Sequence, residues 1–370
     1  MERKVSEIFN RLKIVKKEQI TKSVFVLEFE IPLDFVENYQ FLAGQYVTLK
    51  FLHNGNVVEK DFSMTNAPQE KNISLAIKFS DENSASSSIF QNYKTEEYLE
   101  VSLPKGRFTI NSKPHEFRTI VALASGIGIT PIFSHIKNLI NTEPRTRIFL
   151  FYGNKNSEEA AFKNELDLLV SENENRFEVH YFYSQKKGHN PFYEGRLTGK
   201  KMALIINQIM MLDDTDEEAT LWDAVDEVLI CGKGEMIKSL ANACYHHGIR
   251  KENIHFELFE AYNEDIYPVE KEFPLLENIE VEFILNNKTY KTLLENNNEK
   301  LLPQLLEQGF DVPYSCKSGI CGTCECHLEN GQVELLENEY LTEKEVEKGN
   351  ILTCMSIVLS KELKINFDTI

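Results

Sequence analysis

No stretch of this chain approaches twenty apolar residues. The longest, Thr119 to Phe133, is broken by Gly126, Gly128 and Pro131. A membrane-crossing helix needs about twenty such residues in a row, so none is expected. Residues Met1 to Ile20 are charged throughout and lack the apolar core of a secretory signal, which makes the cytoplasm the expected location. Positive charge is scarce: 40 Lys and Arg stand against 58 Asp and Glu, a formal net charge of −18. Nucleic-acid binding needs a basic face and is not expected. Also missing is an even, well-spread set of cysteines. There are 7, and five of them crowd between Cys316 and Cys354, a distribution unlike a secreted disulfide framework. Reduced thiols serving a metal or cluster explain the crowding better.

What is present suffices for two or three domains: 370 residues with 42% hydrophobic content. From Phe9 to Asn111, short alternating runs (Val24–Ile31, Gln45–Phe51, Ile73–Phe79, Tyr98–Leu103) are punctuated by turn formers such as Asn54-Gly55-Asn56. This spacing predicts an antiparallel β-barrel over residues 8–112. Residues 113–260 change rhythm. Buried-type strands at Thr119–Ala124, Arg147–Tyr152, Phe177–Tyr183, Glu227–Cys231 and Ile254–Leu258 alternate with helical stretches at Pro131–Ile140, Glu158–Val170, Lys200–Met211 and Glu235–His246. That alternation predicts a parallel α/β sheet. A charged, aperiodic stretch reads as a linker at 261–275. The final segment, 276–370, opens with a hairpin around Asn286-Asn287 and a helix near Lys300–Gln308. From Leu276 to Ile370 there are 17 acids against 8 bases. Such asymmetry serves either to steer a basic partner or simply to keep the protein in solution.

The strongest local signal is Cys316-x4-Cys321-x2-Cys324, with Cys354 following after twenty-nine intervening residues. This is the spacing of a plant-type 2Fe–2S centre. Three thiolates on one loop grip one cluster only if the backbone curls tightly. The small residues Ser315, Ser318, Gly319, Gly322 and Thr323 permit that and let backbone N–H groups reach the sulfides. A structural zinc site usually offers two close pairs, and here only Cys321 and Cys324 form one. From Pro313 to Cys324, and again over Leu352-Thr353-Cys354-Met355-Ser356, the chain resembles a plant-type ferredoxin. The resemblance implies a β-grasp (α+β) domain with Cys316, Cys321, Cys324 and Cys354 as ligands. Cys326 is then a strand residue.

Upstream, Lys60-Asp61-Phe62-Ser63-Met64 resembles the Arg-x-Tyr-Ser flavin motif of the ferredoxin–NADP reductase family, and Gly44-Gln45-Tyr46 fits the same pattern. The resemblance implies a flavin, FAD rather than FMN, held by Lys60, Phe62, Ser63, Met64, Ile77, Lys78, Ser86, Ser87 and Ser88. A helix start with free N–H groups and serine hydroxyls suits a pyrophosphate. Lys60 stands where the family has arginine, losing a bidentate fork but keeping charge. Phe62 keeps a ring and loses the tyrosine hydroxyl.

Ala124-Ser125-Gly126-Ile127-Gly128-Ile129-Thr130-Pro131 places small residues between a strand and a helix, which suits close approach of a dinucleotide. Tyr152-Gly153-Asn154 ends the second strand without an acid, so the standard dinucleotide fingerprint is absent. Cys231-Gly232 resembles the reductase family's later Cys-Gly-Pro motif, with Lys233 in place of proline, and His255–Phe259 resembles its closing strand. The family likeness implies cofactor contacts from Gly126, Gly128, Thr130, Lys155, Cys231 and Gly232. It also implies that Ser63, Cys231 and Glu257 converge at the nicotinamide, with Ser63 bonding the flavin N5. Lys155, Lys186 and Lys187 are candidate partners of a 2′-phosphate or solvated loop lysines, and favour NADPH over NADH. His246 and His247 end a helix and suit its C-terminal dipole.

The order of modules resembles the reductase subunits of bacterial oxygenases, phenylacetyl-CoA epoxidase-type reductases among them. The resemblance implies an electron-transfer oxidoreductase whose outlet is a terminal acceptor protein, an oxygenase component. A fatty-acid desaturase or aromatic-ring dioxygenase is the alternative acceptor. A redox-sensing regulatory subunit without steady turnover is the alternative of another class.

Overall fold

The computed structural model describes residues 8–79, 83–185, 193–209, 221–267, 273–315, 317, 319, 322–336, 338 and 340–369. The chain divides into two compact units, Met1–Glu257 and Leu258–Ile370.

The first unit opens with β1 (Phe9–Gln19), β2 (Val24–Glu30), β3 (Tyr46–His53), β4 (Asn56–Ser63), β5 (Ile73–Lys78) and β6 (Tyr98–Ser102). They form an antiparallel sheet in the order β4-β3-β6-β1-β2-β5. Asn54 and Gly55, with φ of 51° and 79°, make the tight β3–β4 turn, the backbone twist that two-residue hairpins need. Beyond its last residue, β4 runs on to Met64, which bridges Leu75 of β5, while the Thr65 N–H bonds the Ser74 carbonyl at 2.8 Å. The two edge strands of the sheet thus meet at the Phe62-Ser63-Met64 motif, and the sheet curls toward a barrel there. Helix α1 (Ala85–Asn92) lies between β5 and β6 in sequence.

The second half of this unit is a five-stranded sheet in the order β11-β10-β7-β8-β9. Its strands are β7 (Arg118–Ser125), β8 (Thr146–Asn154), β9 (Phe177–Tyr183), β10 (Val225–Gly232) and β11 (Ile254–Leu258). β7 pairs in parallel with both β8 and β10. Residues 118–124 of β7 are all buried, as a central strand covered on both faces requires. The helices are α2 (Ile129–Thr142), α3 (Lys163–Glu172), α4 (Gly199–Ile209) and α5 (Gly234–His246). One expectation needs correction. The single helix over Glu158–Val170 is a 3-10 turn at Ser157–Glu159 followed by α3. Phe162 separates them with φ of 60°, its ring stacked on Phe133 at 4.5 Å. Val24, Val26, Ala76 and Phe108 of the barrel share one core with Ile132 and Ile136 of α2, which ties the two halves of this unit together.

The second unit is a mixed sheet in the order β13-β12-β18-β14-β16, with β15 and β17 as a separate pair. Its strands are β12 (Glu277–Leu285), β13 (Lys288–Asn296), β14 (Glu325–Asn330), β15 (Val333–Leu335), β16 (Asn350–Leu352), β17 (Ser356–Val358) and β18 (Glu362–Asn366). β12 and β18 are parallel neighbours, and α6 (Leu301–Glu307) packs Leu301, Leu302 and Leu305 into the core beneath them. This is the α+β arrangement expected of a β-grasp domain. A short helix, α7 (Glu343–Glu347), begins with a capping box between Thr342 and Glu345. Within the stretch expected to be a linker, Ile266 and Tyr267 are almost fully buried.

Candidate active site and candidate iron–sulfur centre

The strand order of the parallel sheet reverses between β7 and β10. In open α/β sheets a ligand crevice forms at such a point, beyond the carboxyl ends of the strands. Ala124 and Cys231 face each other in register there. The loop leaving β7 makes one 3-10 turn, Gly126–Gly128, and enters α2 with no side chain capping the helix start. The Ile129 N–H is taken up by the Gly126 and Ile127 carbonyls, so the turn runs directly into the helix. A Cβ on Gly128 would lie 2.3 Å from the Cys231 carbonyl oxygen, so only glycine lets this loop settle onto the end of β10. The Tyr152 hydroxyl donates to the Gly126 carbonyl at 3.0 Å and holds the loop from β8. Nothing local in the sequence marks a strand tyrosine as the brace of a loop 26 positions away. The Thr130 hydroxyl is spent on the Ile127 carbonyl at 3.0 Å.

The flavin-motif residues arrive from the barrel. Ser63 ends β4 and is buried, Phe62 is partly buried, Met64 is fully buried and Lys60 is exposed. Ile77 is buried and Lys78 exposed at the end of β5. The Lys78 ammonium lies 3.9 Å from where a Cβ on Gly126 would stand, which brings barrel and glycine loop together. At α1 the Ser84 side chain accepts from the Ser87 N–H at 3.2 Å. Ser86, Ser87 and Ser88 are buried around this first turn, and Ser88 meets His53 Nδ1 at 2.7 Å. Lys155 is exposed just after β8. Lys186 and Lys187 lie outside the described residues.

Ser63, Cys231 and Glu257 come together, although 194 positions separate the first from the last. The Ser63 hydroxyl donates to Glu257 Oε2 in a long hydrogen bond of 3.5 Å. Desolvation pushes the Glu257 carboxyl up to about 8; the Ser63 bond opposes this and the nearby Asp61 charge adds to it. Asp61 is itself held by the Thr48 hydroxyl at 2.6 Å. Cys231 is fully buried. Burial first, and the Glu257 charge second, raise its thiol well above the usual range, so it stays a neutral, compact side chain. The raised value shifts Glu257 toward its protonated form near neutral pH. The folded protein then holds one more proton here than the unfolded chain between about pH 4.5 and 8, so this group's contribution to stability falls as pH rises through that window. Urea unfolding of Glu257→Gln is expected to gain on the parent between pH 5 and 8.5, by on the order of 2–5 kcal/mol. An unchanged difference between the two pH values would mean that the carboxyl titrates normally.

In the second unit, β14 pairs with β16 in the register Glu325↔Leu352. The Thr353 N–H and hydroxyl both donate to the Cys324 carbonyl, at 3.2 and 3.1 Å. The Cys324 backbone and the turn carrying Cys354 are thereby joined from opposite ends of the motif, and both cysteines are buried. Cys316 and Cys321 lie outside the described residues. Among the described residues between and beside them, Lys317, Gly319 and Gly322 take positive φ of 57°, 74° and 72°. A Cβ on Gly322 would collide with the Tyr340 ring at 2.1 Å, so this position takes only glycine. Two buried cysteines joined through the Thr353–Cys324 bonds, beside positive-φ Gly319 and Gly322, fit a cluster of the 2Fe–2S type. Cys326 sits on β14 opposite Ile351, fully buried in the apolar core, where desolvation raises its thiol well above the usual range.

Comparison with known proteins gives three adjoining matches. Residues 11–110 match the oxidoreductase FAD-binding domain, 122–242 the oxidoreductase NAD-binding domain, and 284–359 the 2Fe-2S iron-sulfur cluster binding domain. The chain is 27% identical to a component of 1,2-phenylacetyl-CoA epoxidase of Escherichia coli (strain K12), over 97% of this chain and 98% of that protein. It is 26% identical to the ferredoxin reductase component of 3-ketosteroid-9-alpha-monooxygenase of Rhodococcus rhodochrous, over 96% and 95%. Among solved structures, phthalate dioxygenase reductase shares the fold, with a TM-score of 0.52 and 23% identity over 97% of this chain and 98% of that one. Three matched regions in this order, on a fold with the same modules, make the chain a member of the NAD(P)H-dependent flavin/iron–sulfur oxidoreductases.

Proposed function

We propose that this protein accepts hydride from NAD(P)H at a bound FAD and passes single electrons through its own 2Fe–2S centre to an oxygenase component, of the phenylacetyl-CoA epoxidase type. The observation that carries the reading is the meeting of Ser63, from the barrel, with Glu257, from the closing strand of the parallel sheet, near the switch point where Cys231 precedes the last residue of β10. When bound, FAD supplies the conversion of a two-electron donor into one-electron output.

The chain's own residues do the positioning. Ser63 presents a hydroxyl toward the flavin N5, and Glu257 keeps a proton beside that hydroxyl. Buried, neutral Cys231 packs at the nicotinamide C4 and excludes water. Gly126, Gly128 and Gly232 line the path of the nicotinamide dinucleotide, with Thr130 bracing the turn. Lys60, Phe62, Met64, Ile77, Lys78 and Ser86–Ser88 border the flavin and its pyrophosphate. Cys316, Cys321, Cys324 and Cys354 ligate the cluster. The division proposed is barrel 8–112, nucleotide domain 113–260, connector 261–275 and ferredoxin 276–370. NADPH is favoured by exposed Lys155 and by the lysines at 186 and 187.

The relatives' names support an oxygenase acceptor, and composition supports a cytoplasmic site. Among the described residues no helix is long and apolar enough to cross a membrane. Steady NADPH-dependent reduction of cytochrome c or ferricyanide is the expected result. Tight nucleotide binding without turnover would instead identify a redox-sensing protein.

A further inference from the structure

Lys300 immediately precedes α6, and its side chain caps no backbone group of that helix. Instead the ammonium is turned to two other neighbours. One is the Asp265 carboxylate, with which it forms an ion pair. The other is the Met355 thioether sulfur, 3.8 Å away. The two charged side chains are only 16% and 26% exposed, unusual for a lysine, whose head ordinarily reaches water. Met355 is buried and closes the 3-10 turn Thr353–Met355, so it follows Cys354 directly. Asp265 belongs to the stretch expected to be a free linker, yet the next two residues, Ile266 and Tyr267, are buried at 2% and 1% exposure. The structure therefore shows a positive charge clamped against the turn that carries Cys354, with its counter-charge supplied by the anchored end of the connector.

We propose that the Asp265–Lys300 pair sets the reduction potential of the iron–sulfur centre, with Lys300 and Asp265 as positioning residues of opposite effect. The inference rests on the reading of Cys354 as a cluster ligand. Reduction adds one electron to a centre already carrying the negative charge of four thiolates. A fixed cation nearby eases that addition and a fixed anion opposes it, and both act strongly where water is partly excluded. Groups beyond the ligands tune metal centres in this manner. The pair is then a means by which the connector adjusts how readily the cluster takes an electron.

The test is an anaerobic, mediated dithionite titration of the full-length protein, following the visible bands and the electron paramagnetic resonance signal of the cluster. Lys300→Gln is expected to make one-electron reduction less favourable and Asp265→Asn more favourable. Each changes the equilibrium constant roughly tenfold, about 59 mV for one electron. Lys300→Arg keeps the charge and is expected to stay near the parent potential. If Lys300→Gln fails to fold, Asp265→Asn alone must still raise the potential. Shifts in the same direction, or no shift in a cluster-containing variant, overturn the proposal while leaving the cluster assignment intact. Absence of cluster bands from the parent itself would overturn the cluster assignment, and this proposal with it.

Discussion

Cys354→Ser is expected to abolish the visible absorption of the iron–sulfur centre, whereas Cys326→Ser retains it. The two thiols are both buried and both belong to the same domain core, so burial alone does not separate them. Position does. Cys354 lies in a turn that leaves the β14–β16 ladder just past Leu352 and is pinned to the Cys324 carbonyl through both donors of Thr353. Cys326 lies inside that ladder, opposite Ile351, among apolar side chains. Cys326→Ser introduces a buried hydroxyl, a destabilisation of about 1–3 kcal/mol, but leaves the ligand set whole. Bands lost with Cys326 and kept with Cys354 would reverse the assignment.

The second large effect is kinetic. Ser63→Ala is expected to slow flavin reduction by NAD(P)H about 10- to 100-fold, the consequence of removing a hydrogen bond worth about 1–3 kcal/mol at the atom that gains the hydride. Ser63 is suited to this role because it is fixed on both sides. Its backbone ends the β3–β4 ladder opposite Tyr46, and its hydroxyl is turned toward Glu257. The effect belongs to the hydride step, so stopped-flow traces of flavin bleaching are the measurement, with flavin content checked in parallel. A rate equal to that of the parent in a fully loaded variant would remove Ser63 from the site.

Much of the fold is legible without coordinates, for identifiable reasons. The central strand β7 and the apolar stretches Ile148–Tyr152 of β8 and Val228–Cys231 of β10 stand out as buried runs, and Asn54-Gly55 and Asn286-Asn287 mark hairpins because both tolerate positive φ. β4 does not stand out as a strand. It is an edge strand whose Glu59, Lys60 and Asp61 are exposed, so it carries charge where a central strand carries valine or leucine. The break at Phe162 is illegible because a left-handed phenylalanine has no propensity signal; its ring stacks on Phe133, far from it in sequence. The site itself is the clearest case. Ser63 and Glu257 are paired in the sequence only by family likeness, since no local pattern links residues 194 positions apart. Nothing in the sequence joins Asp265, Lys300 and Met355, because their meeting depends on how α6 seats against the Cys354 turn.

Current must pass from nucleotide to flavin to cluster within one polypeptide if the proposed function holds. Stepwise anaerobic addition of NADPH to the purified, cofactor-loaded protein, with no other acceptor present, addresses this directly. The expected result is loss of the flavin bands together with appearance of the reduced cluster's paramagnetic signal. A bleached flavin beside a cluster that stays oxidised, yet is readily reduced by dithionite, would contradict it.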